Sequence, residues 1–355
     1  MDRPIVTVLM PVYNGSAYLR QAINSVLVQS YSNFEFLILD DCSSDDTVSI
    51  VRSYSDPRIR LIEAKERLMI CKALNAGIEQ AKGKYIARMD ADDVCRPSRL
   101  EKQVTYLERC PQVGVCGTWV RRFGLGVSGS IDKRPCGSEN VRAYALFDNP
   151  MVHSSVMMRR DILGKTGSCY LDEFKNAEDY ELWSRLFACC GIDNIPEVLL
   201  DYRVHLENVT ITAGKDMEVA ACCVVKRLLY TLGLNPTEED VLFHRYLGTA
   251  RMYPERSRST LVKAEEWLKK LIVSNCISMT YFEPSLLRAI AGVWYRACYH
   301  SLDEGMWTIR HFLKFYAGSC KGSRPLLVPI LFCAMVKSLS CRYWRHVAVQ
   351  DRAQG

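Results

Sequence analysis

The sequence has no apolar run long enough to cross a membrane as a helix. The longest candidate near the C-terminus, PLLVPILFCAMV at 325–336, has 12 residues, whereas a spanning helix needs about 20. The N-terminal stretch MDRPIVTVLMPVYNG also lacks the unbroken apolar core of a secretory signal, because a proline and an Asn-Gly pair interrupt it. Both absences predict a chain that is neither membrane-spanning nor secreted.

Cysteine pairs with the C-x-x-C spacing of metal or redox sites are also absent. The 16 cysteines are scattered, several of them in apolar runs such as VGVCGTWV and LFCAMV. Cysteines in such runs are usually buried, and disulfides are rare in the reducing cytoplasm. We therefore expect buried, reduced thiols and a cytoplasmic location.

No internal repeat or low-complexity tract is present, and the composition is ordinary. The 355 residues are 48% hydrophobic and 24% charged, which excludes long disorder, collagen and a coiled coil. A chain of this length can form one large domain and a smaller one. We expect an α/β domain at 1–215 and a mainly helical region at 216–355.

The net charge of +6 is concentrated at the C-terminus. Residues 310–355 carry eight Lys or Arg and one acid, which gives +7, so the other 309 residues sum to −1. Aromatic and apolar residues accompany these charges, as in segments that bind anionic membrane surfaces. We expect residues 310–350 to contact a membrane peripherally; the alternative is a helical subdomain with a basic outer face. The tail has no recognised nucleic-acid-binding module, so we expect no nucleic-acid partner.

The first 120 residues alternate between short apolar runs and segments with helical spacing. The apolar runs lie at 5–10, 34–39, 59–63, 85–89 and 113–120, and the helical segments at 17–29, 45–54, 68–82 and 98–109. This alternation predicts βαβ units and an α/β fold with a mostly parallel sheet flanked by helices.

Polar side chains follow three of the predicted strands at the point where each strand ends. They are Tyr13 and Asn14 after the first, Asp40 and Asp41 after the second, and Asp90, Asp92 and Asp93 after the fourth. The carboxyl ends of parallel strands meet at one edge of a sheet, where ligands bind. We therefore expect these side chains to share one crevice.

Each group at these strand ends has a ligand-binding and a local structural interpretation. Asp40 and Asp41 can accept the N3–H of a pyrimidine base or bind ribose hydroxyls, while Ser43 or Ser44 can instead cap the following helix. Tyr13 and Asn14 can line the base pocket or form only a turn.

The group after the fourth strand consists of Asp90, Asp92 and Asp93. Their carboxylates repel one another unless a cation or solvent shares the site. Hard oxygen ligands of this kind suit Mg²⁺ or Mn²⁺. The alternative is that Asp93 or Ser98 caps the next helix and the other acids lie in a solvated loop.

Several segments in fixed order resemble a known family. VTVLMPVYNGSAYLRQAINSVLVQSYSNFEFLILDDCSSDDT and ALNAGIEQAKGKYIARMDADD are similar to the nucleotide-sugar-binding half of family-2 inverting glycosyltransferases, which have the GT-A fold. The resemblance covers roughly residues 5–210 and includes NPMVHSSVMMRR at 149–160, AEDYELW at 177–183 and YRVH at 202–205. It implies metal-aided transfer of a sugar from a nucleotide diphosphate, with UDP as the expected nucleotide. The expected acceptor is a hydroxyl of a glycan or lipid-linked molecule in cell-surface polysaccharide synthesis, and 1–215 becomes the catalytic domain.

The resemblance also assigns roles on the donor side. The expected contacts of the nucleotide are Pro11, Tyr13, Asn14, Asp40, Asp41, Asp90 and Arg67, and the expected metal ligands are Asp92, Asp90 and His205. The family often has Asn-x-Gly before its ALN helix, whereas this chain reads Glu63-Ala-Lys-Glu-Arg-Leu-Met-Ile-Cys71. Arg67 can still reach the diphosphate, or it can lie on a solvated helix face. His205 can complete the metal shell or be a hydrogen-bonded structural residue.

On the acceptor side the resemblance makes Asp179 the general base, with Glu178 beside it. Displacement at an anomeric carbon needs a carboxylate that activates the acceptor hydroxyl, and a cation on the leaving diphosphate. Tyr180, Leu182 and Trp183 surround Asp179 with apolar bulk, which predicts a raised pKa. The alternative is that both acids stabilise the dipole of their helix. We expect His153 to line the acceptor side or to pack.

Two other functions remain open. A sugar nucleotidyltransferase shares the fold class but usually has a Gly-rich loop with Arg and Lys after its first strand, which PVYNGSAYL lacks. A non-catalytic nucleotide-sugar-binding module would be favoured if Asp179 faced away from the donor.

Overall fold

The computed structural model describes residues 3–127, 129–165, 167, 169–206, 208, 214–249 and 257–300. The segment 310–350, which we predict to contact a membrane, lies outside the described residues. The chain divides into two compact units, the first ending at Leu228 and the second beginning at Leu229.

The first unit alternates strands with helices, as the sequence predicts. Its strands are β1 Val6–Val12, β2 Phe34–Asp40, β3 Ile59–Glu63, β4 Tyr85–Arg88, β5 Val94–Cys95, β6 Val113–Gly124, β7 Ile131–Asp132, β8 Met157–Arg159 and β9 Gly191–Val204. Its helices are α1 Ser16–Leu27, α2 Thr47–Arg52, α3 Met69–Gln80, α4 Arg99–Arg109, α5 Ser138–Ala145 and α6 Glu178–Leu186, followed by α7 Gly214–Thr231, which runs across the division. Short 3-10 helices lie at His153–Ser155, Arg160–Ile162 and Asp172–Phe174.

The strands form one sheet in the order β3-β2-β1-β4-β8-β6-β9-β5, with β7 paired to β6. β1 is parallel to β2 and β4, and β2 is parallel to β3, while β8 is antiparallel to both of its neighbours. Val12 is in register with Asp40, so β1 and β2 end at the same level. The predicted α/β fold with a mostly parallel sheet is confirmed.

The sheet lies between two layers of helices because both of its faces are apolar. All seven residues of β1 are buried, a continuous run typical of parallel strands covered on both sides. Val8 and Met10 pack in one core cluster with residues of α1 and α4, while Leu9 packs in a second cluster with residues of α3 and α6.

Strand β1 ends at Val12, two residues beyond the end of the predicted strand at 5–10, so the strand continues through Pro11. The carbonyl of Leu9 accepts from the N–H of Met89, whereas that of Val12 accepts from Asp41 on the opposite side. Pro11 therefore faces the side where β4, whose register with β1 ends at Leu9, has stopped. Among the described residues, no strand lies opposite Pro11 on that side to accept a hydrogen bond from a backbone N–H. The absence of this N–H in proline therefore costs no sheet hydrogen bond, and the proline does not end the strand.

The described cysteines are all free, but not all of them are buried. Five are buried, whereas Cys189, Cys223 and Cys276 are exposed. The expectation of burial is wrong for these three because they lie just after α6 and on the exposed faces of α7 and, in the second unit, Arg258–Ser278.

The second unit is helical in its described part, with α8 Glu238–Thr249, α9 Arg258–Ser278 and α10 Glu283–His300. Ser257 caps α9 by accepting from the N–H of Thr260 at 3.2 Å. The indole N–H of Trp267 donates to Nδ1 of buried His244 at 3.0 Å. In the described part of the chain, no helix combines the length and the apolar character needed to span a membrane.

Candidate active site

The turns after β1 and β2 are fastened to one another. Asn14, which has a left-handed φ of 48°, donates its backbone N–H to Ser43 Oγ at 2.9 Å. Its side-chain oxygen accepts from the N–H of Ser44 at 2.9 Å. The next residue, Gly15, has no room for a side chain, because a Cβ there would lie 2.6 Å from Val12 Cγ2.

The serines at this turn do not cap α2, which was the local alternative to ligand binding. Helix α2 begins at Thr47, and the side chain of Asp46 at its N-cap makes no capping hydrogen bond. Ser43 and Ser44 contact Asn14 instead, so their role is to hold the end of β2 against the end of β1.

Asp40 ends β2 with one carboxylate oxygen unpaired. The residue is 3% exposed, and its Oδ2 accepts from the N–H of Ser43 at 3.1 Å. Its Oδ1 is buried and has no hydrogen-bond partner among the described residues. A buried unpaired carboxylate oxygen is costly, so this atom is a candidate acceptor for an N–H or O–H of a ligand.

Asp41, in contrast, is fully engaged by the segment that leads into α3. It forms an ion pair with Arg67 and accepts from the N–H groups of Leu68 at 2.6 Å and Met69 at 3.0 Å. These bonds fix the beginning of α3, where a carboxylate also stabilises the helix dipole. A nucleotide contact of Asp41 stays a prediction.

Arg67 lies on the aromatic ring of Tyr13 and not on a solvated helix face. The ring of Tyr13 is about half exposed, and the guanidinium stacked on it makes a cation–π contact. Two residues on, Met69 has a φ of 66°, a left-handed conformation. A left-handed conformation is favourable for glycine and costly for an L side chain such as that of Met69.

The acidic group after β4 forms a compact cluster. Ligand oxygens of Asp90, Asp92 and Asp93 all lie within 4.8 Å of one another. Burial raises the pKa of Asp90, against the opposing charge of Arg88. Burial, together with the charges of Asp90 and Asp92, raises the pKa of Asp93 well above its usual range. The helix-capping alternative does not hold, because Ser98 makes no side-chain cap and Asp93 accepts from the N–H of Arg203 at 2.8 Å.

Residues at the end of β9 contact this cluster. Nε2 of His205 lies 2.8 Å from Oδ2 of Asp92, and Nε of Arg203 donates to the carbonyl of Asp92 at 2.7 Å. The guanidinium of Arg203 also lies between the rings of Tyr18 and Phe123, at 4.3 and 4.5 Å from their centroids. Arg203 is thus a clamp on the acidic loop, and His205 lies where we predict a metal ligand.

These donors fit a hard divalent cation. Three carboxylates that gather within 4.8 Å supply oxygen ligands, and the imidazole of His205 adds a nitrogen that Mn²⁺ accepts more readily than Mg²⁺ does. Burial raises the pKa values of Asp90 and Asp93, and the like charge of Asp92 adds to both shifts; a cation would offset both effects.

The pair Glu178 and Asp179 opens α6. Oδ2 of Asp179 accepts from Nδ2 of Asn149 at 2.7 Å, and Oδ1 accepts from the N–H of Tyr180 at 2.7 Å. Burial raises the pKa of Asp179, as its apolar neighbours predict, and the hydrogen bond from Asn149 opposes this shift. Burial and the charge of Asp179 raise the pKa of Glu178 to about 7, and Oε2 of Glu178 has no partner in the described residues.

A buried cation, Arg88, connects the two acidic sites, and the sequence analysis missed it. Its side chain is 7% exposed and forms an ion pair with Asp90. The same charge opposes the rise that burial causes in the pKa values of Asp179 and Glu178. The signal was present in KYIARMDADD, because an arginine inside a buried strand needs an acidic partner. Arg88 therefore acts electrostatically on both acidic groups.

His153 packs beneath this site. Its Nε2 lies 2.8 Å from Oη of Tyr170. The centroids of its ring and of the Trp183 ring are 6.1 Å apart, in an edge-to-face arrangement. Burial, assisted by the charge of Arg88, lowers the pKa of His153 well below its usual range. A neutral His153 in this position supports the helix that carries Glu178 and Asp179.

Comparison with known proteins agrees with this geometry. The family described as Glycosyl transferase family 2 matches residues 7–167. An uncharacterized glycosyltransferase of Haemophilus influenzae is 29% identical over 323 residues, which cover 88% of this chain and 97% of the relative. The O-antigen biosynthesis glycosyltransferase WbnJ of Escherichia coli is 32% identical over 225 residues, which cover 61% of this chain and 86% of WbnJ.

Two solved structures share the fold. TarS 1–349 of S. aureus, in complex with UDP-GlcNAc, has a TM-score of 0.55 at 16% identity, with 90% of this chain and 93% of that one covered. The mannosyltransferase PcManGT of Pyrobaculum calidifontis, in complex with GDP-Man and Mn²⁺, has a TM-score of 0.50 at 18% identity, covering 86% of this chain and 89% of that one. The acidic sites, the matched family and the well-covered relatives together identify this chain as a member of glycosyltransferase family 2.

Proposed function

We propose that this glycosyltransferase is metal-dependent and inverting, and that it moves a hexose from a UDP-sugar to a hydroxyl of a glycan or lipid-linked acceptor in cell-surface polysaccharide synthesis. The observation that carries the proposal is a set of three groups, of which two lie at the ends of β2 and β4 and the third is within the influence of the charge of Arg88 on β4. They are the unpaired oxygen of Asp40, the acidic cluster after β4, and the carboxylate of Asp179.

The free oxygen of Asp40 supports a base with an N–H at its recognition edge. Uracil offers N3–H, whereas cytosine has an unprotonated N3 at the same position. Tyr13 supplies a flat and partly exposed ring beside Arg67 for stacking. The structure of TarS contains UDP-GlcNAc, which supports UDP as the nucleotide of the donor. The structure of PcManGT contains GDP-Man, and guanine also has an N–H at its recognition edge, so GDP is the competing nucleotide.

The residues that would hold the cation are Asp92, Asp90 and His205. A divalent cation held by them would neutralise charge on the leaving diphosphate. Arg203 and Asp93 keep these ligands in place, through the bonds from Arg203 to the carbonyl of Asp92 and to the carboxylate of Asp93.

Asp179 is the proposed general base. One of its oxygens takes the proton of the acceptor hydroxyl while the acceptor oxygen bonds to the anomeric carbon. The bond between that carbon and the phosphate oxygen breaks, and its electron pair leaves with the nucleotide diphosphate. Attack on the face opposite the leaving group inverts the anomeric configuration. The proton ends on Asp179 and passes to water.

The test of donor and metal is a thermal-shift screen of UDP-, GDP- and CDP-sugars with and without Mn²⁺. A ligand that binds only the native state raises the melting temperature. We expect UDP-sugars with Mn²⁺ to give the largest shift. If no nucleotide sugar shifts the melting temperature with or without Mn²⁺, the proposed donor is wrong.

The proposal also places the enzyme peripherally on the cytoplasmic face of the cell membrane, through residues 310–350. Its support is the +7 charge of residues 310–355 beside aromatic and apolar side chains. A chain truncated after Arg310 should bind anionic liposomes more weakly at low salt while donor hydrolysis is kept. Equal liposome binding by the full and truncated chains would remove the membrane contact from the proposal.

A further inference from the structure

Asn149 contacts the carboxylate of Asp179 from a different part of the fold. Its Nδ2 donates to Oδ2 of Asp179 at 2.7 Å, across 30 residues of sequence. The other oxygen, Oδ1, accepts from the N–H of Tyr180 at 2.7 Å. With both oxygens bonded to donors on separate elements, the carboxylate cannot rotate freely about its terminal bond.

The amide of Asn149 is itself oriented. Its Oδ1 accepts from the N–H of Met151 at 3.3 Å, which leaves the NH₂ end toward Asp179. Its backbone carbonyl accepts from Nη1 of the largely buried Arg134 at 2.7 Å. The following carbonyl, of Pro150, accepts from Nδ2 of buried Asn194 at 3.1 Å. The segment is therefore held by its backbone, so that the side chain of Asn149 is left to act on Asp179.

We infer that Asn149 is a positioning residue for Asp179, whose carboxylate it aims and keeps in the ionised, proton-accepting form. The inference rests on the proposed role of Asp179 as the general base. An N–H donated to a carboxylate favours the charged form. The neutral amide achieves this without adding a charge that would compete with Arg88 for the acids.

Four titratable or charged groups on other positions act on Asp179 and have to be considered with Asn149. Glu178, its neighbour on α6, is a second acid whose ionised form repels that of Asp179, and Arg88 at the end of β4 favours the ionised form. Burial raises the pKa values of Tyr170 in the preceding loop and of Cys71 on α3, and the charge of Asp179 adds to both shifts. None of these groups donates a described hydrogen bond to Asp179, so Asn149 is distinct among its described side-chain partners.

The first test measures the ionisation of Asp179 directly. We would label the aspartate carboxyl carbons with ¹³C, assign the Asp179 signal with Asp179→Asn, and follow its pH titration by NMR in the full chain. Asn149→Ala keeps the backbone carbonyl that Arg134 binds, and the lost hydrogen bond to a charged group should raise the midpoint by about one pH unit or more. Asn149→Asp, which replaces the donor by a second acid, should raise it further. The matched control is Asn140→Ala, which removes a hydrogen bond from a side-chain amide to the carbonyl of Cys136 in a nearby segment. This variant should leave the midpoint unchanged.

The second test uses transfer from the UDP-sugar that gives the largest thermal shift. In Asn149→Ala we expect kcat to fall and the acidic limb of its pH profile to move to higher pH, with the binding of UDP unchanged. An unchanged Asp179 midpoint in Asn149→Ala would overturn the inference, and so would an unmoved acidic limb. The proposed function fails in a different way, namely if Asp179→Asn transfers sugar normally, whatever the Asn149 variants do to the titration.

Discussion

Nε2 of His205 lies 2.8 Å from Oδ2 of Asp92, although 113 positions separate the two residues in the sequence. The contact depends on the pairing of β9 with β6 and β5, because that pairing brings the end of β9 to the acidic loop. Two parts of the chain that are remote in sequence thus complete the proposed metal site only in the folded first unit.

Removing Asp92 should weaken the binding of the metal. We expect Asp92→Ala to stay folded and to bind Mn²⁺ at least about 10-fold more weakly, because a ligand of the cation is lost. His205→Ala should change the Mn²⁺ affinity in the same direction. Titration calorimetry with Mn²⁺ in the presence of UDP measures both, and Asp161→Ala, which removes an exposed acid, is the control. Wild-type Mn²⁺ affinity in Asp92→Ala would contradict the assigned metal site.

Replacing Asp40 by asparagine should change which base is preferred. Asp40→Asn can present an N–H where the wild type presents only acceptors, so it loses the bond to uracil N3–H and gains a donor toward cytosine N3. Loss of a charge-assisted hydrogen bond should weaken UDP by about 10- to 100-fold, while CDP improves relative to UDP. Competition binding with the two nucleotides measures the change. Unchanged UDP affinity would place the base elsewhere.

The strand ends could be predicted from sequence because they depend on local patterns. Buried runs such as β2 precede their acids directly, and the parallel topology brings Asp40 and Asp92 to one edge of the sheet. The pairing of Arg67 with Asp41 could not be predicted, since it depends on how the segment before α3 folds back over 26 residues. The bond from Asn149 to Asp179 joins a loop to the first turn of α6, and no periodicity encodes the relative position of the two.

Met69 should be a source of backbone strain. Its φ of 66° places an L side chain in the left-handed region, which costs about 1–2 kcal/mol, and the side chain is 41% exposed. Because Met69→Gly and Met69→Ala lose nearly the same buried surface, we expect Met69→Gly to exceed Met69→Ala in the free energy of unfolding by about 1 kcal/mol. Urea denaturation measures it, and Met69→Ala, which keeps the strain, should give no gain. A Met69→Gly variant no more stable than Met69→Ala would show that the strain is absent.

Glu178 should make the stability of the enzyme depend on pH. Because burial raises its pKa to about 7 in the folded state, the native state holds the proton more tightly than the unfolded state. The stabilising contribution of the protonated form is complete below about pH 4.5 and is lost as the pH rises through about 7.

Glu178→Gln removes this dependence. Relative to wild type, the variant should gain on the order of 2 kcal/mol in the free energy of unfolding between pH 5 and pH 8.5. Chemical denaturation at several pH values measures the gain, and the exposed Glu173→Gln is the control. A constant difference across that pH range would mean that Glu178 ionises as an ordinary carboxylate.

The central claim is that Asp179 activates the acceptor while the donor is held by separate residues. The most direct measurement compares the rate of sugar transfer by wild type and Asp179→Asn from the same UDP-sugar at saturating Mn²⁺, with UDP binding and the melting temperature determined for both. Loss of a general base costs about 10²–10⁴-fold in rate, so the account predicts a loss of that size or more in a folded protein that still binds UDP. Transfer at the wild-type rate by Asp179→Asn would contradict it.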